Sequence, residues 1–434
     1  MGRKLGILLF AAFVSFVGHV NAGDDALKKE LADLNLITGT DTMRGAMKSL
    51  VDNKKHAKAL LAYALPAAKK NELSYNAAMI LGLVAAEGKD MKSAETFFRV
   101  SMDKAAKLQS VEKLRQSYGT LIDLYYEYKQ YADCARICKE LLELNTDDEK
   151  VREVRRTVVN RFGQVEIGEP EDGFKTALRL RPYVYELYVK AIAKQGKFDQ
   201  ALRLVDVLLK GKDDWIDLSL KGWVLRESGK LEAAAGIYED VVKKIGDDAR
   251  LEDKEKDEYV EQYRYDLSGL YIDLKKVDRA TEHLQFLIKK RPEYPGFYND
   301  LGYIWADHEM KLEEAEKLIR KALDLDRALR KKSPKFDPKT DHDKGAYLDS
   351  LGWVLFKMKK SEEAKDWLLK ALEDKSAQHI EIYDHLADVY MVLGERELAI
   401  QTWQNGLKHV TESRRDQERK VEVEKKLAKA KESK

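Results

Sequence analysis

The sequence predicts an all-α fold, a stack of paired helices without a sheet, and three observations predict it. First, one pattern of small and bulky residues returns at intervals in the thirties. Gly352, Leu355, Ala364, Leu368 and Ala371 set it out, and Ala387, Tyr390, Ala399, Trp403 and Gly406 repeat it thirty-five residues on. A fixed period of this size marks a solenoid, in which each repeat is one supersecondary unit. Second, the spacings of three, four and seven place each half-unit's key residues on a single helix face. Third, short polar turns separate the halves, as in Lys194-Gln195-Gly196-Lys197, Glu227-Ser228-Gly229-Lys230 and Leu393-Gly394-Glu395-Arg396.

Taken in order, the chain opens with a segment foreign to this pattern. Arg3 and Lys4 precede an apolar run from Leu5 to Val20, and Val20-Asn21-Ala22 offers small residues before Gly23. That is the layout of a cleaved secretory signal peptide, residues 1–22. The run is short for a membrane anchor, which wants ~20 apolar residues. No cysteine follows the cleavage site to carry a lipid. The mature protein is therefore expected to be exported, periplasmic or secreted, with no stable membrane span.

Residues 23–410 are expected to form the stack, about eight to ten helical hairpins by this period. A degenerate unit lies around Gly45 to Ala64. Clear ones follow at Gly82, Ala85, Ala94, Phe98 and Ser101, and at Ile122, Tyr125, Cys134, Cys138 and Leu141. A second degenerate unit spans Val158 to Pro182. Val189, Ile192, Ala201, Val205 and Leu208 resume the pattern, then Gly222, Leu225, Ala234, Tyr238 and Val241. Ser268, Tyr271, Ala280, Leu284 and Leu287 come next, and Pro292 ends that unit because proline cannot continue a helix. Gly302, Trp305, Ala315, Ile319 and Ala322 fit with one extra turn residue. The small residues sit where two helix backbones approach closely, and the bulky ones fill the space around that contact. A lone hairpin buries too little apolar area to offset its chain entropy, so neighbours must stack.

This pattern resembles the tetratricopeptide repeat over roughly residues 40–410. The stretch from Tyr298 to Ala371 is similar to repeats common in bacterial envelope proteins, through Leu301-Gly302-Tyr303-Ile304-Trp305-Ala306-Asp307, Leu312-Glu313-Glu314-Ala315-Glu316 and Ala346-Tyr347-Leu348-Asp349-Ser350-Leu351-Gly352-Trp353-Val354. The resemblance implies a tetratricopeptide-type helical-hairpin solenoid, a right-handed superhelix, acting as a scaffold or adaptor that binds other proteins. It also implies a concave groove lined by the first helices of the hairpins. Carried onto this sequence, the groove residues are Tyr126, Trp223, Arg226, Tyr265, Asn299, Tyr303, Asp349, Trp353, Phe356 and Asp384. Aromatic anchors among polar neighbours suit the grip of an extended or helical peptide. The carboxylate clamp of chaperone-binding repeats is not matched, because Tyr303 stands where its asparagine belongs.

Charge narrows the function further. The formal net charge is +2, and loss of Arg3 and Lys4 with the leader brings it near zero. Nucleic-acid binding needs a basic face to displace counterions, and mixed charge argues against it. The two cysteines, Cys134 and Cys138, sit four apart on one helix, at the small and bulky positions of a repeat. They are read as buried packing thiols rather than a disulfide.

Two connections are long. Gly246 to Glu258 carries seven acidic and three basic residues, and Arg327 to Lys344 carries seven basic and three acidic ones with Pro334 and Pro338. The basic segment, residues 327–344, is expected either as a solvated connection or as a contact for an acidic partner. Residues 411–434 are expected to form a charged capping helix with Val421, Val423 and Leu427 as its few apolar residues, which also argues for a monomer over end-to-end assembly.

No phosphate loop, dinucleotide fingerprint, zinc-protease helix or nucleophile elbow appears. His379, Asp384, His385 and Asp388 form the nearest thing to a metal cluster, but on a helix His385 points away from the two aspartates. Asp341-His342-Asp343 places three ligand types in a row, which rarely converge on one ion. The expectation is a non-enzymatic interaction protein without cofactor or metal, binding a protein or peptide partner. The competing expectation is a ligand-binding or catalytic accessory that uses residues 327–344.

Overall fold

The computed structural model describes residues 23–143, 182–209, 214–334 and 336–432. The expected signal peptide, residues 1–22, and the expected degenerate unit at Val158 to Pro182 lie outside the described residues, apart from Pro182 at the latter's end. Among the described residues every regular element is a helix. The chain divides into two compact units, Met1–Ala234 and Ala235–Lys434.

In the first unit, α1 (Asp24–Asn35), α2 (Thr40–Asp52) and α3 (Lys54–Lys69) precede the regular hairpins α4 (Tyr75–Glu87) with α5 (Met91–Lys107) and α6 (Val111–Glu127) with α7 (Tyr131–Glu143). Beyond the undescribed stretch come α8 (Pro182–Lys194), α9 (Phe198–Leu209) and α10 (Trp215–Glu227). The side chains of Ser74, Asp90 and Asp214 accept backbone N–H groups at the starts of α4, α5 and α10, which satisfies donors that a helix start leaves open. Cys134 and Cys138 are buried in α7 and unpaired. The hydrogen bond to Cys134, with burial behind it, pushes the Cys138 thiol up, so Cys138 is not primed as a nucleophile.

The helix α11 (Leu231–Asp247) leads into the second unit. Four hairpins follow: α12 (Asp253–Asp273) with α13 (Val277–Lys290), α14 (Pro295–Asp307) with α15 (Leu312–Lys331), α16 (Gly345–Lys357) with α17 (Ser361–Glu373), and α18 (Ile380–Val392) with α19 (Arg396–Gly406). The chain closes on α20 (Arg414–Glu432).

One turn geometry is stamped on eight hairpins among the described residues. The second residue of the sequence pattern, Ala85, Tyr125, Ile192, Leu225, Tyr271, Trp305, Leu355 or Tyr390, accepts the backbone N–H five residues on at 2.7–3.3 Å. The residue before that donor is left-handed in every case: Lys89, Lys129, Gly196, Gly229, Lys275, Glu309, Lys359 and Gly394. This is the Schellman termination, which satisfies carbonyls that would otherwise be orphaned at the end of the first helix.

The small residues do what their spacing predicts. A β-carbon on Gly352 would lie 2.6 Å from Leu368 Cγ and 3.2 Å from the Ala364 carbonyl oxygen, so two residues of its own repeat define the contact. On Gly302 it would meet Ile319 Cγ1 at 2.7 Å and the Ala315 oxygen at 2.9 Å.

The first residues of the expected stack form α1, which contributes buried Leu27, Leu31 and Leu34. Of the two long connections, α12 absorbs Asp253 to Glu258 of the first, while only Arg327 to Lys331 of the second lie in α15. One expectation needs correction. In the tail helix, Val421 faces outward at 49% exposed while Val423 and Ala430 are buried.

Candidate functional site

The inner wall of the second unit can be located from one hydrogen bond. Tyr303, on α14, reaches past α16 and donates to Glu381 Oε1 on α18 at 2.7 Å. Helices two places apart in a stack meet only on the side toward which it curves, so Tyr303 marks that side. Around it gather five residues predicted for the groove: Tyr303, Asp349, Trp353, Phe356 and Asp384.

Trp353 is the centre of this group. Its ring stacks on His385 with centroids 3.9 Å apart and planes 13° from parallel, and Phe356 packs at 5.3 Å. Its Nε1 donates to Asp307 Oδ1 at 3.1 Å. His385 is wholly buried and holds Asp349 Oδ1 through Nδ1 at 2.8 Å. Burial opposes a charged imidazole there, but the charge and hydrogen bond of Asp349 outweigh it and raise the His385 pKa above its usual 6.5. An imidazolium flat against an indole adds a cation–π attraction. His385 was weighed in the sequence only as a metal ligand; among the described residues no group of metal-ligating side chains converges.

Asp384, 1% exposed, is a heavily engaged carboxylate. It accepts from Trp403 Nε1 at 2.9 Å, Arg419 Nη1 at 3.1 Å and Lys426 Nζ at 2.8 Å. Burial works against its ionisation, yet Lys426 holds its pKa below the ordinary 3.8. Glu381 is also held down despite burial, by Arg419. The last two cations belong to α20, so the tail helix lies on the inner wall itself. Sequence reasoning missed Glu381, Arg419 and Lys426. The available signal was the i, i+4 pair Asp384 and Asp388, both of which Lys426 holds, at 2.8 and 2.7 Å.

Tyr265 and Asn299 form a second group with Asp300, which accepts from Tyr265 Oη at 2.8 Å and from Asn299 Nδ2 at 3.3 Å. Tyr265 is 43% exposed and packs on Phe297, which also meets the exposed Tyr294. Next to this shelf a cleft of about 360 Å³ is walled by Tyr294, Leu329, Tyr347 and the polar residues Asp326, Arg330 and Lys344. Three of the basic residues in 327–344, namely Arg327, Arg330 and Lys344, are met by aspartates inside the chain. Arg327 pairs with Asp343 at 2.6 Å, Lys344 with Asp326 at 2.8 Å, and Arg330 with Asp341, Asp343 and Asp326.

The remaining predicted groove residues lie in the first unit. Tyr126 packs edge-on against Tyr131 at 5.4 Å. Trp223 is half-buried under Lys190 and Lys194, each 5.5 Å from its ring, and Arg226 is half-buried three residues on.

Comparison with known proteins follows the same lines. The sequence profile of the family described as Tetratricopeptide repeat matches residues 46–107 and 265–329. A TPR repeat-containing protein of Pseudomonas aeruginosa is 32% identical over 122 residues, 27% of this chain. The aligned part spans only 18% of that relative's own length. A solved tetratricopeptide repeat protein of Parabacteroides merdae aligns over 73% of this chain and 99% of its own, with 12% identity and a TM-score of 0.46. A thermophilic TPR protein of Thermus thermophilus aligns over 50% and 98%, with 18% identity and a TM-score of 0.36.

Proposed function

We propose that this chain, a member of the tetratricopeptide-repeat family, is a non-catalytic scaffold that holds a partner polypeptide on the inner wall of its C-terminal unit. Repeats of this family generally mediate protein–protein interaction. The observation that carries the reading is the Tyr265 shelf: an aromatic side chain nearly half exposed, hydrogen-bonded to Asp300, beside Tyr294 and Phe297 on the first helices. Such a ring offers large contact area at small rotamer cost, the profile of an interface anchor. With the leader read from residues 1–22, the site of action is outside the cytoplasm. No helix among the described residues is long and apolar enough to cross a membrane.

The test is a photo-crosslinking amino acid placed at Tyr265 and, for comparison, at Leu369, which is also exposed but lies on the second helix α17. Cells carrying the Tyr265 probe should yield a discrete protein adduct that the Leu369 probe does not. Identical adduct patterns from both positions would remove the assignment.

A further inference from the structure

The helix α20 is built unlike a hydrophobic cap. Its buried or half-buried residues are Asp416, Arg419, Lys420, Val423, Lys426, Leu427 and Ala430, so only two apolar side chains, Val423 and Ala430, are fully covered. Its hold on the unit is mainly ionic. Arg419 bridges Glu381 at 2.6 Å and Asp384 at 3.1 Å, and Lys426 bridges Asp384 and Asp388. One turn before Arg419, Arg415 reaches Asp273 on α12 at 2.8 Å and the Gly269 carbonyl at 3.3 Å. At the other end Arg396 holds the Ala430 carbonyl at 2.6 Å. The pairs at its exposed start, Arg415 and Arg414 with Asp273, are weak and screened by salt, while those to Asp384 are more deeply set. The wall beneath is different. Removal of α20 would bare a row of carboxylates, Glu381, Asp384 and Asp388, spaced along one face of α18, with Asp273 beyond them.

We propose that this acidic row is a binding site for basic amphipathic helices, and that α20 occupies it as an internal competitor. The partner segment would present arginine, a small apolar residue, lysine and a second small residue at intervals matching Arg419, Val423, Lys426 and Ala430. This rests on reading the inner wall as the binding surface and names the chemistry that surface selects. A tethered competitor acts at millimolar effective concentration, so a partner meets the site only in the fraction of molecules whose tail has left it. Partner binding is then coupled to release of the tail, and weakly apolar, charge-held docking keeps that release within reach.

The experiment uses the full chain and one probe, a fluorescent synthetic peptide of residues 411–434. Charge reversal of the tail in cis, Arg419→Glu with Lys426→Glu, sets Glu381, Asp384 and Asp388 against like charge and should undock it without touching the stack. The peptide should bind this variant at least tenfold more tightly than the unaltered chain, and added salt should weaken that binding steeply. Adding Asp388→Asn, or in a separate protein Asp384→Asn, to the reversed background should cost the peptide tenfold or more. Circular dichroism confirms that each variant folds, and Asp388, being the more accessible of the two, keeps the test open if Asp384→Asn does not. Equal peptide binding by the unaltered and reversed chains overturns the competitor role. Binding that ignores both aspartate substitutions overturns the site. A concentration-dependent dimer of the unaltered chain that disappears on charge reversal assigns α20 to exchange between copies and overturns the internal competition. Failure of the peptide with a surviving Tyr265 adduct removes this inference and leaves the broader reading in place.

Discussion

Replacing Gly302 with alanine tests the packing rule that phases every repeat. The new methyl would sit 2.7 Å from Ile319 Cγ1, 3.2 Å from its Cδ1 and 2.9 Å from the Ala315 carbonyl oxygen. Ile319 is fully buried and the carbonyl belongs to helix backbone, so neither can swing aside. The helices α14 and α15 must therefore part, and overpacking of this kind costs ~1–3 kcal/mol. Against it stands the better helix propensity of alanine, about 1 kcal/mol. The net expectation is a loss of up to about 2 kcal/mol. Gly236 supplies the control, because it lies inside α11 with nothing within 4 Å of the added carbon. Gly236→Ala should gain ~0.5–1 kcal/mol by the propensity term alone. Urea denaturation followed by circular dichroism ranks the two, and hydrogen exchange of residues 295–307 localises the effect, which matters because stacked repeats need not unfold in one step. If Gly302→Ala proves as stable as Gly236→Ala, the close helix contact does not exist as described and the reading of the small positions fails.

Three further outcomes follow from particular residues. Lys359 is left-handed at φ 65°, so Lys359→Gly should stabilise by about 0.5–1 kcal/mol, whereas Gly394→Ala at φ 79° should destabilise by about 1–2 kcal/mol, both read from denaturation midpoints. His385 has a folded pKa raised above its usual 6.5, so its contribution is complete below that value and is lost as pH climbs through the folded pKa. Stability of the second unit should fall on alkalinisation above 6.5, and His385→Gln should flatten that limb of the midpoint–pH curve. Glu95 behaves oppositely. Burial is overcome by Arg136, Tyr125 and Arg99, which bring its pKa from 4.5 to about 2, so its contribution is present above 4.5 and disappears as pH falls toward 2. Glu95→Gln should remove that acid-sensitive component, checked by acid titration of the helical signal.

The repeat was legible because its signal is packing, and packing is periodic. Leu355 and Tyr390 could be placed from spacing alone, and each proves to be the residue whose carbonyl closes its turn. Gly196, Gly229 and Gly394 announced the left-handed turn position, while Lys89, Lys129 and Lys359 hold it without any compositional mark. What escaped notice was carried by charge. The inner face of α20 is defined by Arg419 and Lys426, so a search for apolar residues picked out Val421, which faces solvent. The net charge of residues 327–344 left local pairing unseen for a related reason: Asp326 lies one residue outside that segment and pairs with Lys344 and Arg330. Charge sums carry no geometry. The helix α1 falls inside the expected stack and carries a visible stripe of Leu27, Leu31 and Leu34, but it precedes the first residues that keep the repeat spacing.

The most direct test of the inner wall as a gripping surface is hydrogen exchange on the chain bound to the partner recovered through Tyr265. Protection should concentrate on the first helices α12, α14, α16 and α18, with exchange rising in residues 414–432 as the tail is released. Protection confined to the second helices α13, α15 and α17, with the tail unchanged, would contradict it.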